Sequence, residues 1–329
     1  MHFPATGLDA VLGDYADLGV QIFFVISGYL ITMLLIKEYE RNGRVDLKLF
    51  YLRRALRIFP ASYVYLALIA VASALGIVIL HRHDLLFAFT YTVNYSLDKS
   101  WRIGHLWSLS VEEQFYLLWP FALNRLNPRR AMWAAGAVFV CGPVTRILMR
   151  TFLTGDFLPY LPIFPAVADG LAAGCLMAGF RARLLKTSWY PRLAAGPVVL
   201  GLVTLVFAIN ALRGSYWMEA AGVPVMMMSI AVVMEWCLRN STSLAGRILN
   251  ARPVAWVGVL SYSLYIWQQI FLNHHSKAWI CRFPQNIVLA VVTACASYYL
   301  LERPLLGLRQ RLAARNTREM QHATASAAS

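Results

Sequence analysis

Residues Trp107 to Pro120 read WSLSVEEQFYLLWP and set two adjacent carboxylates, Glu112 and Glu113, in a run otherwise built of Leu, Val, Phe, Tyr and Trp. A charged side chain at the centre of a bilayer costs roughly 2.5–3.5 kcal/mol on insertion scales, so such a group persists where it has a partner or a task. Helical spacing puts Ser108, Glu112 and Tyr116 on one stripe and Ser110 with Gln114 on the next. A polar stripe of this kind faces protein or a water-filled cavity, not lipid. Two roles fit it. The carboxyl can act as a general acid or base, or the stripe can be an interhelical hydrogen-bond clamp.

A second constellation is FYLRRALRIFP, Phe50 to Pro60. Arg54 and Arg57 are three residues apart and share a helix face, and Arg53 adds to the same positive field. Guanidinium groups hold phosphates bidentately, so the cluster suits a phosphorylated cytosolic donor such as a coenzyme A thioester. The same arginines also fit plain anchoring at the cytoplasmic face of a membrane. His2 is a third candidate: an imidazole can take a hydroxyl proton or receive an acyl group. A histidine beside an initiator Met equally needs no role. His81 and His83, beside Asp84, read as solvated, as do His274 and His275, whereas His105 suits the outer mouth of a site.

Several chemistries lack a motif. There is no GxSxG elbow, no Walker A loop and no GxGxxG, which leaves serine-hydrolase and nucleotide chemistry unsupported. No His is followed five residues later by Asp, so the glycerolipid acyltransferase pattern is absent. The cysteines (Cys141, Cys175, Cys237, Cys281, Cys295) are scattered singly without metal-ligand spacing and read as small apolar residues, so no metal site is expected.

The elements that must position these groups are legible in the composition. Hydrophobic residues make up 59% of the 329, charged residues only 14%, and mean hydropathy is +0.55. Soluble domains carry about 25% charged residues, so the chain reads as a membrane protein. Apolar segments of near-spanning length fall at about 18–36, 58–80, 105–124, 131–150, 158–180, 194–212, 217–238, 254–273 and 284–302. Their length, without alternating ten-residue segments, predicts helices and an all-α polytopic membrane protein of about nine spans.

Lys and Arg concentrate in alternate connections: 37–57, 125–130, 181–193, 239–253 and 303–329. The positive-inside rule then predicts the N-terminus outside and the C-terminus inside. The net charge of +14 accordingly sets topology and meets anionic lipid, and nucleic acid is not expected as a partner. Residues 1–312 form the transmembrane domain on this reading, and the Ala-, Ser- and Thr-rich segment 313–329 is a disordered cytoplasmic tail. An outside N-terminus with neither signal peptide nor preceding helix suggests that a first helix is missing.

The chain resembles the membrane acyltransferase-3 family, O-acyltransferases that modify bacterial surface polysaccharides, peptidoglycan and some secreted metabolites. The likeness runs in order through DLGVQIFFVISGYLIT (Asp17–Thr32), FYLRRALRIFPASY (Phe50–Tyr63), HLWSLSVEEQFYLLWP (His105–Pro120), ADGLAAGCLMA (Ala168–Ala178), VGVLSYSLYIWQQ (Val257–Gln269) and YYLLERPL (Tyr298–Leu305). By resemblance, Arg54 and Arg57 correspond to the family's paired donor-associated arginines and Glu112 to its signature glutamate. His2, followed by Phe3 and Pro4, fits a histidine at the end of the family's first helix, so most of that helix would lie upstream. The chain departs from the family at Trp267-Gln268-Gln269, where WHQ is common.

The resemblance implies a multi-pass bacterial inner-membrane enzyme without a bound cofactor, with acyl-CoA (acetyl-CoA foremost) as co-substrate and a glycan or related hydroxyl compound as acceptor. Arg54, Arg57 and Arg53 would bind the donor. His2 and Glu112 would assist the transfer, with Glu113, Ser108 and Tyr116 supporting. The competing expectations are a proton-coupled transporter or flippase for a glycan or acyl intermediate, and an inactive truncated homologue of the enzyme.

Overall fold

The computed structural model describes residues 8–153, 161–212, 214–273, 276 and 278–307. Among them every regular element is helical: α1 (Leu8–Asn42), α2 (Leu47–Ala74), α3 (Asp84–Phe89), α4 (Trp101–Gly104), α5 (Leu106–Phe152), α6 (Phe164–Val167), α7 (Asp169–Leu184), α8 (Tyr190–Leu193), α9 (Gly196–Ala211), α10 (Val223–Arg239), α11 (Leu244–Leu249), α12 (Arg252–Phe271) and α13 (Gln285–Ser297). A π-helical turn, Met218–Gly222, precedes α10, and another, Tyr298–Glu302, follows α13.

Among the described residues, five stretches are long and apolar enough to cross a membrane: Ala16–Asn42, Leu47–Ala74, Trp101–Phe152, Met218–Arg239 and Gln285–Gly307. The segments expected at 105–124 and 131–150 lie together in the third, which has 52 residues. At about 1.5 Å per residue that length far exceeds the ~30 Å hydrocarbon layer. The stretch breaks at Asn127, whose φ of 64° and ψ of 162° leave the helical region. Asn127 then caps the second half: its side-chain oxygen accepts the Arg130 N–H at 3.1 Å, and Pro128 takes the first position, where no N–H is needed. Of the remaining expected segments, α7 and α9 have 16 residues each, while α12 has 20 and interleaves Ser261, Tyr262, Ser263, Gln268 and Gln269 with its apolar residues.

By packing, the chain divides into two compact units. The first holds α1 and α5 to α11. Its core gathers Leu18, Val25 and Tyr29 from α1, Ala173 and Met177 from α7, and Met226, Met227 and Ile230 from α10. α1 lies along α7 through small residues. A side chain at Gly28 would run into the Leu171 carbonyl, and one at Gly174 into the Val25 carbonyl. Small residues are what allow helix backbones in lipid to come this close, where apolar burial offers no driving force between them.

An ionic knot ties α7, α8 and α10 in the same unit. Glu235, fully buried, accepts from Tyr190 Oη at 2.9 Å and from Arg239 Nε at 2.9 Å, with Arg181 Nε 3.4 Å from its other oxygen. Burial, and then the Glu235 carboxylate, push the Tyr190 phenol above its ordinary range. Glu235→Ala should lower stability by about 2 kcal/mol, because it leaves two guanidinium groups without their buried counter-charge. Thermal unfolding in detergent measures this, and an unchanged midpoint would show the knot to be idle.

The second unit holds α2, α3, α4, α12 and α13. Asp46 caps α2 by accepting the Leu49 N–H at 2.9 Å, so the helix starts well before the apolar segment expected from 58. The arginines of the FYLRRALRIFP motif therefore stand on its opening turns. α12 is fastened to α2 by Tyr262, whose hydroxyl donates to the Ile58 carbonyl at 2.6 Å, and a reciprocal pair joins its end to α4: Gln269 Nε2 to the Trp101 carbonyl at 2.8 Å and Trp101 Nε1 to the Gln269 carbonyl at 3.3 Å.

Candidate active site

The stripe on the first half of α5 turns inward, as its spacing predicts. Ser108, Glu112 and Tyr116 are buried, Glu112 being only 4% exposed. Glu112 Oε1 accepts a hydrogen bond from Ser27 Oγ of α1 at 2.7 Å and another from Tyr116 Oη, one turn along its own helix. A turn further on, Trp119 Nε1 donates to Thr32 Oγ1 at 2.9 Å. α1 and α5 thus meet along a ladder of polar contacts in an otherwise apolar interface, with the carboxylate at its head. Two hydroxyl donors converging on one oxygen hold the carboxyl in a fixed orientation, as a proton-handling group requires.

The neighbouring stripe faces elsewhere in the same unit. Gln114 Nε2 donates to the Tyr91 carbonyl and to Asn94 Oδ1, both at 2.9 Å, and Ser110 Oγ accepts the Val93 N–H at 3.3 Å. These contacts hold the 91–97 segment against α5. Glu113 is half-buried beside them.

Arg53, Arg54 and Arg57 belong to the second unit. All stand on α2: Arg57 is exposed, Arg53 and Arg54 are half-buried, and the Arg54 guanidinium lies 5.9 Å from the centre of the Phe50 ring. In that unit Glu302 is a buried carboxylate that accepts from Ser263 Oγ at 2.5 Å and from Ser297 Oγ at 3.2 Å. His105 is packed among aromatic rings: Nε2 is 3.2 Å from the Ile266 carbonyl, its own carbonyl accepts from Tyr265 Oη, and Tyr65 meets it edge-on. His2, His274, His275 and the tail 313–329 lie outside the described residues.

Sequence reasoning passed over several groups that the fold brings into play. Ser27 is the lone hydroxyl in the FFVISG run, and only the pairing of α1 with α5 gives it a partner. Glu302 sits in the YYLLERPL motif. Arg146, Asp169 and Glu219 form a partly buried ionic group: Arg146 Nη2 lies 2.8 Å from Asp169 Oδ2, and Nε lies 3.6 Å from Glu219 Oε2. Their signal was available, since each is an ionisable residue in or beside an apolar segment.

Glu112, buried and doubly hydrogen-bonded in an all-helical chain, is the candidate around which the family comparison is read. A family model described as an acyltransferase domain matches residues 15–302, and the chain belongs to that family. Among similar proteins is the O-acetyltransferase OatA of Staphylococcus aureus (strain NCTC 8325 / PS 47), 29% identical over 318 residues, covering 88% of this chain and 52% of the relative. The peptidoglycan O-acetyltransferase OatA of Listeria monocytogenes serovar 1/2a is 27% identical over 313 residues, covering 87% of this chain and 49% of the relative. The chain therefore spans about half the length of these curated relatives. No solved structure gives a significant match.

Proposed function

We propose that this protein is a multi-pass inner-membrane O-acetyltransferase that moves an acetyl group from acetyl-CoA to a hydroxyl of an extracytoplasmic glycan, with peptidoglycan the favoured acceptor. The observation that carries the reading is the buried Glu112 held by Ser27 and Tyr116 in a chain of the acyltransferase family. The peptidoglycan acceptor is drawn from the name of the Listeria relative. The topology proposed with it is nine spans, N-terminus outside and C-terminus inside, supported by the alternation of basic connections.

In this reaction the acceptor oxygen attacks the thioester carbonyl. A C–O bond forms, the C–S bond breaks, and the hydroxyl proton passes by way of the enzyme's base to the departing thiolate. Glu112, with His2, takes the proton. Ser27 and Tyr116 orient the carboxylate, and Ser108 and Glu113 support it. Arg54 and Arg57, aided by Arg53, hold the phosphates of the donor.

Membranes carrying the full chain should transfer labelled acetyl from acetyl-CoA to purified peptidoglycan. Transfer at the vector-only level, with the protein properly inserted, would overturn the enzyme reading and favour a transporter. Arg54→Ala and Arg57→Ala should each raise KM for acetyl-CoA by about tenfold to a hundredfold, the worth of one charge-assisted hydrogen bond. KM unchanged in both variants would reduce the arginines to membrane anchors.

A further inference from the structure

Within the first unit, two guanidinium groups share the carboxylate of Glu235, and it does not use up either of them. Arg239 Nε donates to Oε2 at 2.9 Å, and Arg181 Nε lies 3.4 Å from Oε1. Each arginine meets the carboxylate through Nε, which leaves its terminal nitrogens to other acceptors. Glu235 is fully buried, whereas the side chains of Arg181 and Arg239 are 30% and 26% exposed. Two cations against one anion give the cluster a formal charge of +1.

One of the terminal nitrogens, Arg239 Nη2, is closed to water and has no hydrogen-bond partner among the described residues. A buried N–H left unmet is costly, and an acceptor oxygen entering beside α8 and α10 would relieve it. The guanidinium is already held in place. Its ion pair with Glu235, one turn back on α10, fixes it from one side, and the centre of the Tyr190 ring lies 5.9 Å away. An arginine at a helix C-terminus needs no ligand to be stable there. What sets this pair apart is the shared buried carboxylate, which orders both side chains in advance and so lowers the entropic cost of binding.

A preordered pair of guanidiniums with net positive charge selects a phosphate-type anion, which arginine binds through two parallel hydrogen bonds. The setting selects the source. Phe180 and Leu238, the residues just before the two arginines, are exposed, as are Trp189 and Leu193 at the start and end of α8. In a membrane protein such residues meet acyl chains, with Trp at the level of the headgroups. An anion that reaches the arginines past them brings an apolar tail of its own, which favours a phospholipid over soluble phosphate. Segments 181–193 and 239–250 contain Lys and Arg but no Asp or Glu. In the proposed topology both face the cytoplasm, where basic pockets between spans hold anionic headgroups.

We infer that the Arg181–Arg239 pair binds the phosphodiester headgroup of an anionic inner-leaflet phospholipid, seated against α7, α8 and α10. The site stands whether or not the protein transfers acetyl groups. In native mass spectrometry of the full chain from detergent, phosphatidylglycerol should bind at least about tenfold more tightly than phosphatidylcholine, the worth of one charge-assisted hydrogen bond. Arg239→Lys keeps the ion pair with Glu235 but loses the terminal nitrogens. It should cut the preference to within about threefold while the unfolding midpoint stays close to the parent's. Arg181→Lys is read the same way should the first variant fail to accumulate. Arg183→Gln combined with Lys186→Gln removes exposed charge nearby and should leave the preference intact. No headgroup preference in the parent, or a parent-like preference in both lysine variants, overturns the inference. Equal loss in the Arg183 and Lys186 variant does so too, since the effect is then diffuse surface attraction. Displacement of the lipid by glycerol 3-phosphate at matched concentration would mark a soluble-phosphate site and overturn the lipid assignment.

Discussion

On the proposed mechanism, Glu112→Gln should lower the rate of acetyl transfer by about 10²–10⁴-fold, the usual worth of a positioned general acid or base, while the protein inserts and accumulates as before. Glutamine keeps the shape of the side chain, and its carbonyl oxygen still accepts from Ser27 and Tyr116, so the contact between α1 and α5 survives the exchange. What disappears is the group that the proposed mechanism uses to gain and lose a proton. The neighbours behave differently. Ser27→Ala and Tyr116→Phe each remove one hydrogen bond to a charged acceptor, worth about 1.5–3 kcal/mol, and should cost about tenfold to a hundredfold through misorientation of the carboxylate. Acetyl transfer from labelled acetyl-CoA in membranes ranks the variants. A glutamine variant within threefold of the parent would make Glu112 a structural clamp and nothing more.

Gly28→Leu and Gly174→Leu should each cost more than about 3 kcal/mol and deplete the folded protein. Overpacking among side chains typically costs 1–3 kcal/mol because rotamers can yield. Here the clash is with backbone: a side chain at Gly28 meets the Leu171 carbonyl, and one at Gly174 meets the Val25 carbonyl, so α1 and α7 must separate. Separation would also draw Ser27, adjacent to Gly28, off Glu112, and whatever protein remained would be impaired in transfer. Gly19 is the internal comparison on the same helix. It is exposed with nothing near it, so Gly19→Ala should be neutral or slightly stabilising through helix propensity. Thermal unfolding in detergent separates these cases, and a Gly28→Leu midpoint within a few degrees of the parent would show that the helices are not locked together there.

How far the sequence reached depended on range. The inward stripe of α5 was legible because the 3.6-residue period fixes which residues share a face, and Ser108, Glu112 and Tyr116 are indeed buried together. The arginine cluster on α2 was legible for the same reason, although the helix begins earlier than its apolar core because Asp46 caps it. The break at Asn127 read as a basic connection; its positive φ and its capping of the next helix are backbone features that charge counting does not see. The aromatic neighbours of His105, Tyr65 and Tyr265, are not near it in sequence, and its place in the chain did not announce them.

The sequence by itself therefore determined the class of solvent, the helical fold class and the local geometry of each motif, since hydropathy and helical period act within a few turns of chain. Only the tertiary structure decided what each buried face meets. Ser27 finds Glu112 across 85 residues of chain, and Arg146 lies between Asp169 and Glu219. A costly charge in an apolar segment announces that a partner is needed. The partner itself is chosen by which helices pack, and that choice rests on contacts as small as Gly28 against Leu171, which carry no periodic signal along the chain.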